Sequence, residues 1–171
     1  MMRAARLIII FCLLAWLLCA CATTTLAMTP TAATPGGACA PTDQDRYVYQ
    51  PTRLKVLRAC VYVSGIVEAV ERDGVDGDIT LLVRPDPPYE DLLTERNRQA
   101  QHGDLVVEPV CLLQPLQPAA ISLCADDPTP YSGPLPPAGT HVWMEGRYVL
   151  DLNHGGWAEL HPLYRAGILA P

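Results

Sequence analysis

The final quarter of the chain holds five residues whose types and spacing suit metal binding or acid–base chemistry. Asp151, His154, Glu159 and His161 lie within eleven residues, with Trp157 among them. Side chains alternate between the two faces of a β-strand, so we expect Trp157, Glu159 and His161 to point the same way. Imidazole and carboxylate groups bind zinc-like metals and also act as general acids and bases.

Structural roles explain the same residues more simply. Asp151 and Asn153 are turn formers whose side chains bond to nearby backbone amides. His161 precedes Pro162 and fits a hydrogen-bonded strand end, while Trp157 fits a cap over one end of a barrel. The sequence has no HExxH motif, nucleophile elbow, phosphate-binding loop or kinase motif set. We therefore predict no catalytic residue and no cofactor, with zinc as the alternative.

Three hypotheses of function follow from these residues. The preferred one is a non-enzymatic binding or structural module with a glycan, small-molecule or envelope-protein ligand. The second is a metal-dependent, zinc-like site at His154, Glu159 and His161. The third is an enzyme, most simply a hydrolase, that uses the same histidine and glutamate residues. The first is preferred because the sequence shows no catalytic constellation.

The charge balance argues against a nucleic-acid partner. The 171 residues contain 12 Lys+Arg against 18 Asp+Glu, a net charge of −6, and Lys55 is the single lysine. A general nucleic-acid binder needs a basic face that displaces phosphate counterions. The length allows one modest domain.

The N-terminal segment has the features of an export signal. Arg3 and Arg6 precede an apolar run from Leu7 to Ala22, a pattern typical of a signal peptide. The run is shorter than the roughly 20 residues that cross a bilayer as a helix. We therefore expect residues 1–20 to be a signal peptide that is removed.

The end of this run resembles the bacterial lipobox. The residues are Leu18-Cys19-Ala20-Cys21, which places Cys21 where a lipidated cysteine becomes the new N-terminus. Each buried acyl methylene contributes about 0.8 kcal/mol, so several chains anchor a protein firmly. We predict an exported protein that is lipid-anchored in the membrane of the bacterial cell envelope. Ala20-Cys21-Ala22 also suits an ordinary signal peptidase, which would give a secreted or periplasmic protein, and an uncleaved anchor is the third alternative.

Residues 21–53 are predicted to be a disordered tether. They are rich in Thr, Pro, Ala and Gly and show no periodic pattern before Arg53. Such a segment buries too little surface to offset its ordering entropy. Tyr47 and Tyr49 are its only aromatic residues, and we expect them to dock on the domain at residues 54–171.

Four cysteines of the mature chain indicate disulfides. An even number is typical of an exported protein, and four cysteines allow three pairings. We favour Cys111–Cys124, because the residues between them resemble a short helix, and Cys39–Cys60 is then the remaining pair. The alternative is that Cys60 is a buried small hydrophobe.

From Leu54 onward, apolar residues alternate with a period of two. This predicts a mostly β domain with five strands and a short helix between the third and fourth, which is the order of an OB-like barrel. Gly65 and Gly146 lie in mid-strand, where a coiled strand must bend. A small open β-sandwich is the alternative. The predicted strands centre on 61–69, 79–83, 104–113, 142–150 and 157–164, and the helix on 118–124.

The same pattern leaves two charged segments outside the strands. Residues 89–101 are expected to form a helical or irregular excursion. An acidic hairpin is interpreted as a solvated edge, with a weak calcium loop as the alternative. Its members are Glu68, Glu71, Asp73, Asp76 and Asp78.

Several motifs carry a resemblance that covers about 110 residues from Cys60 onward. They are Val63-Ser64-Gly65-Ile66-Val67, Asp76-Gly77-Asp78, Leu92-Leu93 with Asn97, the run His102 to Cys111, Ala120-Ile121-Ser122-Leu123-Cys124 and the tail Val149 to Leu163. On these motifs the chain resembles a family of uncharacterised bacterial exported proteins and lipoproteins. The resemblance implies an OB-like domain that ends in an HGW-x-E-[IL]-HP type tail, and it implies no activity.

The chain departs from this family at two places. The family has a single glycine between the histidine and the tryptophan, whereas this chain has Gly155-Gly156, which shifts the side-chain phase of the turn. The family also tends to carry a histidine two residues after the acidic-Gly-Asp turn, where this chain has Thr80. A metal site that uses that position is therefore disfavoured.

Overall fold

The computed structural model describes residues 39, 44–72, 74–126 and 129–170. The predicted signal peptide, the lipidation site Cys21 and most of the predicted tether lie outside the described residues. Within these ranges, no helix has the length and hydrophobicity that a membrane span requires.

The described part of the chain is mostly β, with five strands, as the alternation of apolar residues predicts. Two helices, α1 and α2, accompany the strands, with α1 between β2 and β3 and α2 between β3 and β4 in chain order. Short 3₁₀ turns cover Asp45–Tyr47, Pro51–Arg53 and Pro87–Leu92. The strands are β1 Leu54–Glu71, β2 Thr80–Pro85, β3 Leu105–Val107, β4 His141–Asp151 and β5 Trp157–Ile168, and the helices are α1 Glu95–Ala100 and α2 Pro118–Asp126.

Each of the five strands pairs with two neighbours, in the order β1-β2-β3-β5-β4 and back to β1. The β3–β5 pair is parallel and the other pairs are antiparallel. The long strand β1 pairs with β4 and with β2, and Gly65 is opposite both Val142 and Pro85. Closing the sheet in this way pairs the strand edges that an open sheet exposes.

The inward faces of the strands form one apolar core. Val61 of β1, Val142 of β4 and Leu160 of β5 belong to the same buried cluster. Burial of such side chains is the main favourable term in folding. The three residues lie in segments that the alternation of apolar residues predicts to be strands.

The third strand is shorter than predicted. Apolar character continues from Asp104 to Leu113, but β3 covers only Leu105–Val107. Pro109 has no N–H to donate to a strand ladder, and Cys111 has a positive φ of 55°. The regular strand therefore ends at Val107, although the backbone of Glu108 is still hydrogen-bonded to Leu160 and Leu163 of β5.

Residues 44–53 of the predicted tether pack against the barrel. Val48 is buried with Leu54 and Val149. Asp45 accepts a hydrogen bond of 2.5 Å from Arg147 Nη1, and the ring of Tyr47 lies edge-on to Tyr164 at 6.4 Å. The packed part of the chain therefore begins ahead of Leu54, and it contacts β4 at Arg147 and Val149.

Both favoured cysteine pairs are joined as disulfides. The Cys39–Cys60 disulfide joins the chain ahead of residues 44–53 to β1. Cys111–Cys124 joins the segment after β3 to α2. The alternative interpretation of Cys60 as a free buried thiol is therefore wrong.

Gly65 is required where β1 passes from one neighbour to the other. A Cβ at this position would overlap the carbonyl oxygen of Arg84 and lie 2.9 Å from Pro85 Cα. Both of these are backbone atoms, which have no flexible side chain to move away. The glycine thus allows β2 to approach β1 closely.

We expect Gly65→Ala to lower the free energy of unfolding by about 1–3 kcal/mol, because the added methyl overpacks a site bounded by backbone. Urea denaturation followed by tryptophan fluorescence measures this loss. Val56→Ala is the matched control, since Val56 lies on the same strand and is 48% exposed. Equal stability of Gly65→Ala and the wild type would contradict the close approach of β1 and β2.

Candidate functional site

The turn between β4 and β5 is built around Asp151. This carboxylate is fully buried, and its Oδ1 accepts hydrogen bonds from the backbone amides of Asn153 at 2.7 Å and His154 at 3.2 Å. Its Oδ2 forms an ion pair with Arg53 and lies 2.9 Å from His154 Nδ1. Asp151 therefore closes the turn, as its interpretation as a turn former predicts, and also binds two basic side chains.

Strand β5 places Trp157, Glu159 and His161 in contact with one another. The indole Nε1 of Trp157 donates to Glu159 Oε1, and Glu159 Oε2 lies 3.5 Å from His161 Nδ1. The ring of His154 stacks on Trp157 with centroids 4.3 Å apart. The five residues singled out in the tail therefore form one continuous set of contacts.

Three residues from other strands and loops complete the site. His161 Nδ1 donates to Glu108 Oε2 at 2.5 Å, and Thr80 Oγ1 donates to Glu108 Oε1 at 3.2 Å. Asp78 Oδ1 accepts a 2.9 Å hydrogen bond from the backbone amide of Cys111. We call Asp78, Glu108, Glu159 and His161 the buried cluster.

Strand pairing explains why the buried cluster forms. The parallel ladder pairs Val106 with Glu159 and Val107 with Leu160. The backbone of Glu108 continues this contact, since its N–H donates to the carbonyl oxygen of Leu160 at 3.0 Å. Glu108 thus leaves β3 beside the strand that carries Glu159 and His161.

The structure divides the predicted metal set of His154, Glu159 and His161. His161 groups with Asp78 and Glu108, whose potential ligand atoms all lie within 4.8 Å of one another. His154 belongs instead to a second group, with Asp151 and Glu159. Glu159 contacts His161 and also belongs to the group of His154. Neither of these two groups contains both histidines.

Burial and mutual charge shift the pKa values in the buried cluster. Burial raises the pKa of Asp78 to about 7, and the nearby charge of Glu108 adds to this while His161 opposes it. Burial alone would lower the pKa of His161, but its interactions with Glu108 and Glu159 raise it to about 10. His161 is therefore a cation at neutral pH.

The two glutamates respond in opposite directions. Burial favours a higher pKa for Glu108, but the hydrogen bond and charge of His161 lower it below its usual range. Burial and the charge of Glu108 raise the pKa of Glu159. The carboxylate of Glu108 is consequently the main counter-ion of His161.

A pocket of about 310 Å³ opens above the buried cluster. It lies between the β1–β2 connection and the β4–β5 turn, over β2 and β3. Its wall contains four carboxylates, from Glu71, Asp76, Asp78 and Glu108, and two of these also belong to the cluster. The remaining lining residues are Tyr49, Val75, Thr80, Gln101, Val106, Gln117, His154 and Trp157.

The prediction of a solvated acidic hairpin is wrong at Asp78. Glu71 is exposed and Asp76 is half-buried, whereas Asp78 is buried, although it also lines the pocket. In the sequence, Glu108 is distinguished only as a member of the run from His102 to Cys111. One sequence feature could have identified Asp78 and Glu108 as site residues. Each is an acidic residue next to an apolar run, in Asp78-Ile79 and in Val106-Val107-Glu108.

Asn97 connects α1 to the strand that carries the site. It is fully buried, and its Nδ2 donates to the carbonyl oxygens of Asp104 and Ala158, both at 3.0 Å. Its Oδ1 accepts from the amides of Ala158 at 2.7 Å and Thr94 at 3.1 Å. Asn97 thereby holds the start of β5, next to Trp157, against α1.

We expect Asn97→Ala to lower the free energy of unfolding by about 3 kcal/mol or more, because several buried donors and acceptors lose their partner and each costs about 1–3 kcal/mol. Thermal denaturation monitored by circular dichroism measures the effect. The matched control is Gln99→Ala on the exposed side of the same helix, which we expect to change little. A loss no larger than that of the control would contradict the role of Asn97.

Comparison with known proteins leaves the site to be judged on its own geometry. No protein-family model matches the chain, and no match was found among curated proteins or among solved structures. The geometry consists of an acidic pocket, two aromatic side chains at its rim and a buried cluster of carboxylates and one imidazole beneath it.

Proposed function

We propose that this chain is an exported, lipid-anchored protein whose OB-like domain is a non-enzymatic binding module for a small cationic ligand. The observation that carries the proposal is the place and charge of the pocket. It lies between the β1–β2 connection and the β4–β5 turn, over β2 and β3. By analogy, OB folds bind their ligands at these two loops and on these two strands.

The strand order supports the OB-like assignment. The five strands follow β1-β2-β3-β5-β4 with a parallel contact between β3 and β5, and α2 separates β3 from β4 in the chain. A five-stranded Greek-key barrel with such an order is the OB arrangement. The fold alone gives no ligand, so the ligand class has to come from the pocket.

The pocket wall favours a positively charged ligand. Four carboxylates face a concave space in a chain of net charge −6, and a cleft lined by one sign of charge concentrates its field. Tyr49 and Trp157 add aromatic faces, to which a cation is attracted. The phosphates of a nucleic acid would be repelled from the same wall.

The positions of the buried residues favour binding over catalysis. Glu159 and His161 are each 1% exposed, and both lie beneath the pocket rather than on its wall. A general acid or base must come within hydrogen-bonding distance of the proton that it transfers. We therefore assign Glu159 and His161 to the support of the pocket floor and not to proton transfer with a substrate.

The two disulfides support the export proposal, since such bonds form and persist in oxidising compartments. The proposed anchor is Cys21, which follows Leu18-Cys19-Ala20. An acylated Cys21 would place the domain at the membrane through residues 22–43.

Spermidine is a suitable probe of the acidic pocket. For the full chain in detergent micelles, we expect spermidine to raise the melting temperature and to bind with a measurable Kd by calorimetry. The double variant Glu71→Gln/Asp76→Asn should weaken binding about fivefold to tenfold, because a partly exposed ion pair contributes up to about 1 kcal/mol.

The matched control is Asp91→Asn/Glu95→Gln, which removes two exposed carboxylates outside the pocket wall. An equal loss of spermidine affinity in both double variants would contradict binding in the pocket. The proposed function fails entirely when neither spermidine, glucosamine nor a divalent cation binds to the wild type.

We expect Cys21→Ser to abolish the lipid anchor. The wild-type chain, expressed in a bacterial host, should partition into the detergent phase, and its intact mass should correspond to loss of residues 1–20 and gain of acyl chains. Cys19→Ser is the control and should behave as the wild type, because Cys19 leaves with the signal peptide. Detergent-phase partitioning of Cys21→Ser equal to the wild type would contradict lipidation at this position.

A further inference from the structure

We propose that the buried cluster of Asp78, Glu108, Glu159 and His161 binds one divalent transition-metal ion of the zinc class. This inference rests on the proposed function, because it names the cation that the floor of the same pocket holds. It replaces the ligand set His154, Glu159 and His161 with residues from three separate parts of the chain: the β1–β2 connection, the residue after β3, and β5.

The first argument is the convergence of ligand atoms. A carboxylate oxygen of Asp78, one of Glu108 and a ring nitrogen of His161 lie within 4.8 Å of one another. Glu159 Oε2 lies 3.5 Å from His161 Nδ1. Carboxylate oxygens and imidazole nitrogen are the ligands of zinc in sites without cysteine.

The second argument is that the chain holds one oxygen of each carboxylate. Asp78 Oδ1 accepts from the Cys111 amide, Glu108 Oε1 from Thr80 Oγ1, and Glu159 Oε1 from the indole of Trp157. Hydrogen bonds of this kind to one oxygen fix the orientation of a metal-binding carboxylate, and they leave its other oxygen for the metal.

The third argument is a buried oxygen without a hydrogen-bond partner. Glu159 Oε2 is inaccessible to solvent in a residue that is 1% exposed, and it accepts no well-formed hydrogen bond. Its ion-pair contact with His161 Nδ1 is 3.5 Å long, and that nitrogen donates to Glu108 instead. Buried polar atoms are nearly always satisfied, and an exception calls for a bound ion or water. The carboxylate of Glu159 faces His161, so a cation in the buried cluster would satisfy it.

Charge balance leads to the same conclusion. Three acidic side chains surround the imidazolium of His161. The nearby guanidinium of Arg53 is paired with Asp151 and also interacts electrostatically with Glu159 and Glu108. Uncompensated charge is costly in a low-dielectric interior. A dication that displaces the proton of His161 to solvent would add positive charge among these acidic groups. It could enter through the pocket because Asp78 and Glu108 also form part of the pocket wall.

The donor set selects the class of metal. Calcium and magnesium prefer oxygen ligands alone, whereas imidazole favours zinc and its transition-metal neighbours. Cys111 is close to Asp78 but is bound in a disulfide with Cys124, so it offers no thiolate. The expected ion is therefore one that accepts mixed nitrogen and oxygen ligands.

His154 has a supporting position in this arrangement. Its Nδ1 lies against Asp151 Oδ2, its side chain is 53% exposed and its ring stacks on Trp157. It thus orients the indole that holds Glu159 Oε1. We infer that His154 acts through Trp157 and is not itself a ligand of the metal.

The test uses the full chain in detergent, treated with a chelator and then dialysed against ZnCl₂. We expect one zinc ion per chain by elemental analysis, and a cobalt(II) adduct with ligand-field absorption of a nitrogen–oxygen site. His161→Gln removes a ligand of the metal. Its zinc affinity should therefore fall by more than the roughly 10- to 100-fold that is lost when only a hydrogen bond to a ligand is removed. Trp157→Phe should lose about 10- to 100-fold, because it removes the donor to Glu159 Oε1 and leaves every ligand in place.

Two controls keep the test decisive. His102→Gln removes an exposed histidine that is not part of the pocket wall, and it should bind zinc as the wild type does. Glu159→Gln preserves the size of the side chain, and its fold is checked by both disulfides and by circular dichroism. A loss of zinc affinity in a natively folded variant then results from the lost ligand and not from unfolding. The cobalt spectrum of the wild type needs no variant at all.

Distinct outcomes separate this inference from the proposed function. Wild-type protein that binds spermidine but neither zinc nor cobalt overturns the metal site alone. Zinc affinity that is unchanged in His161→Gln but lost in Glu71→Gln/Asp76→Asn places the cation on the pocket wall, and it also overturns the metal site alone. Absence of binding by every cationic probe overturns both.

Discussion

The parallel contact between β3 and β5 is the constraint on which the rest of the structure depends. It completes the ring of strands, and it places Glu108, which follows β3, against the strand that carries Glu159 and His161. The side-chain contact between Glu108 and His161, 2.5 Å long, exists only because these distant parts of the chain are paired. The apolar core and the polar cluster are therefore two consequences of one strand arrangement.

The polar residues around this contact form layers with different roles. The innermost layer is the buried cluster, in which one imidazolium lies among carboxylates. Around it, Thr80 and Trp157 hold the glutamates by hydrogen bonds. Farther out, Arg53 forms an ion pair with Asp151. The segment of residues 44–53, which contains Arg53, also places Tyr49 at the pocket. The segment ahead of β1 is thus part of the site as well as a connection to the proposed anchor.

The sequence predicts the strands well and the site only in part, for a physical reason. Alternation is a local signal, so it identifies the segments that form the five strands, including those that contribute Val61, Val142 and Leu160 to the core. It overestimates β3, because apolar character alone does not register that Pro109 cannot continue a ladder. The contacts among Trp157, Glu159 and His161 are also local, since they follow from the period of one strand.

The remaining members of the site depend on non-local pairing. Asp78 and Glu108 lie in acidic or apolar segments whose spatial neighbours are set by the closure of the sheet. Asn97 appears in the sequence as one polar residue of a charged helix, and its two buried hydrogen bonds with the backbone of Ala158 depend on where β5 passes. A pattern along one segment carries no information about such partners, so these residues emerge only from the structure.

X-ray diffraction at the zinc absorption edge tests the central claim most directly, with crystals of the protein grown in the presence of zinc. The account predicts one anomalous peak at about 2.0–2.2 Å from a ring nitrogen of His161 and from oxygens of Asp78, Glu108 and Glu159. A map without a peak in the buried cluster, in which His161 Nδ1 still donates to Glu108, would contradict it.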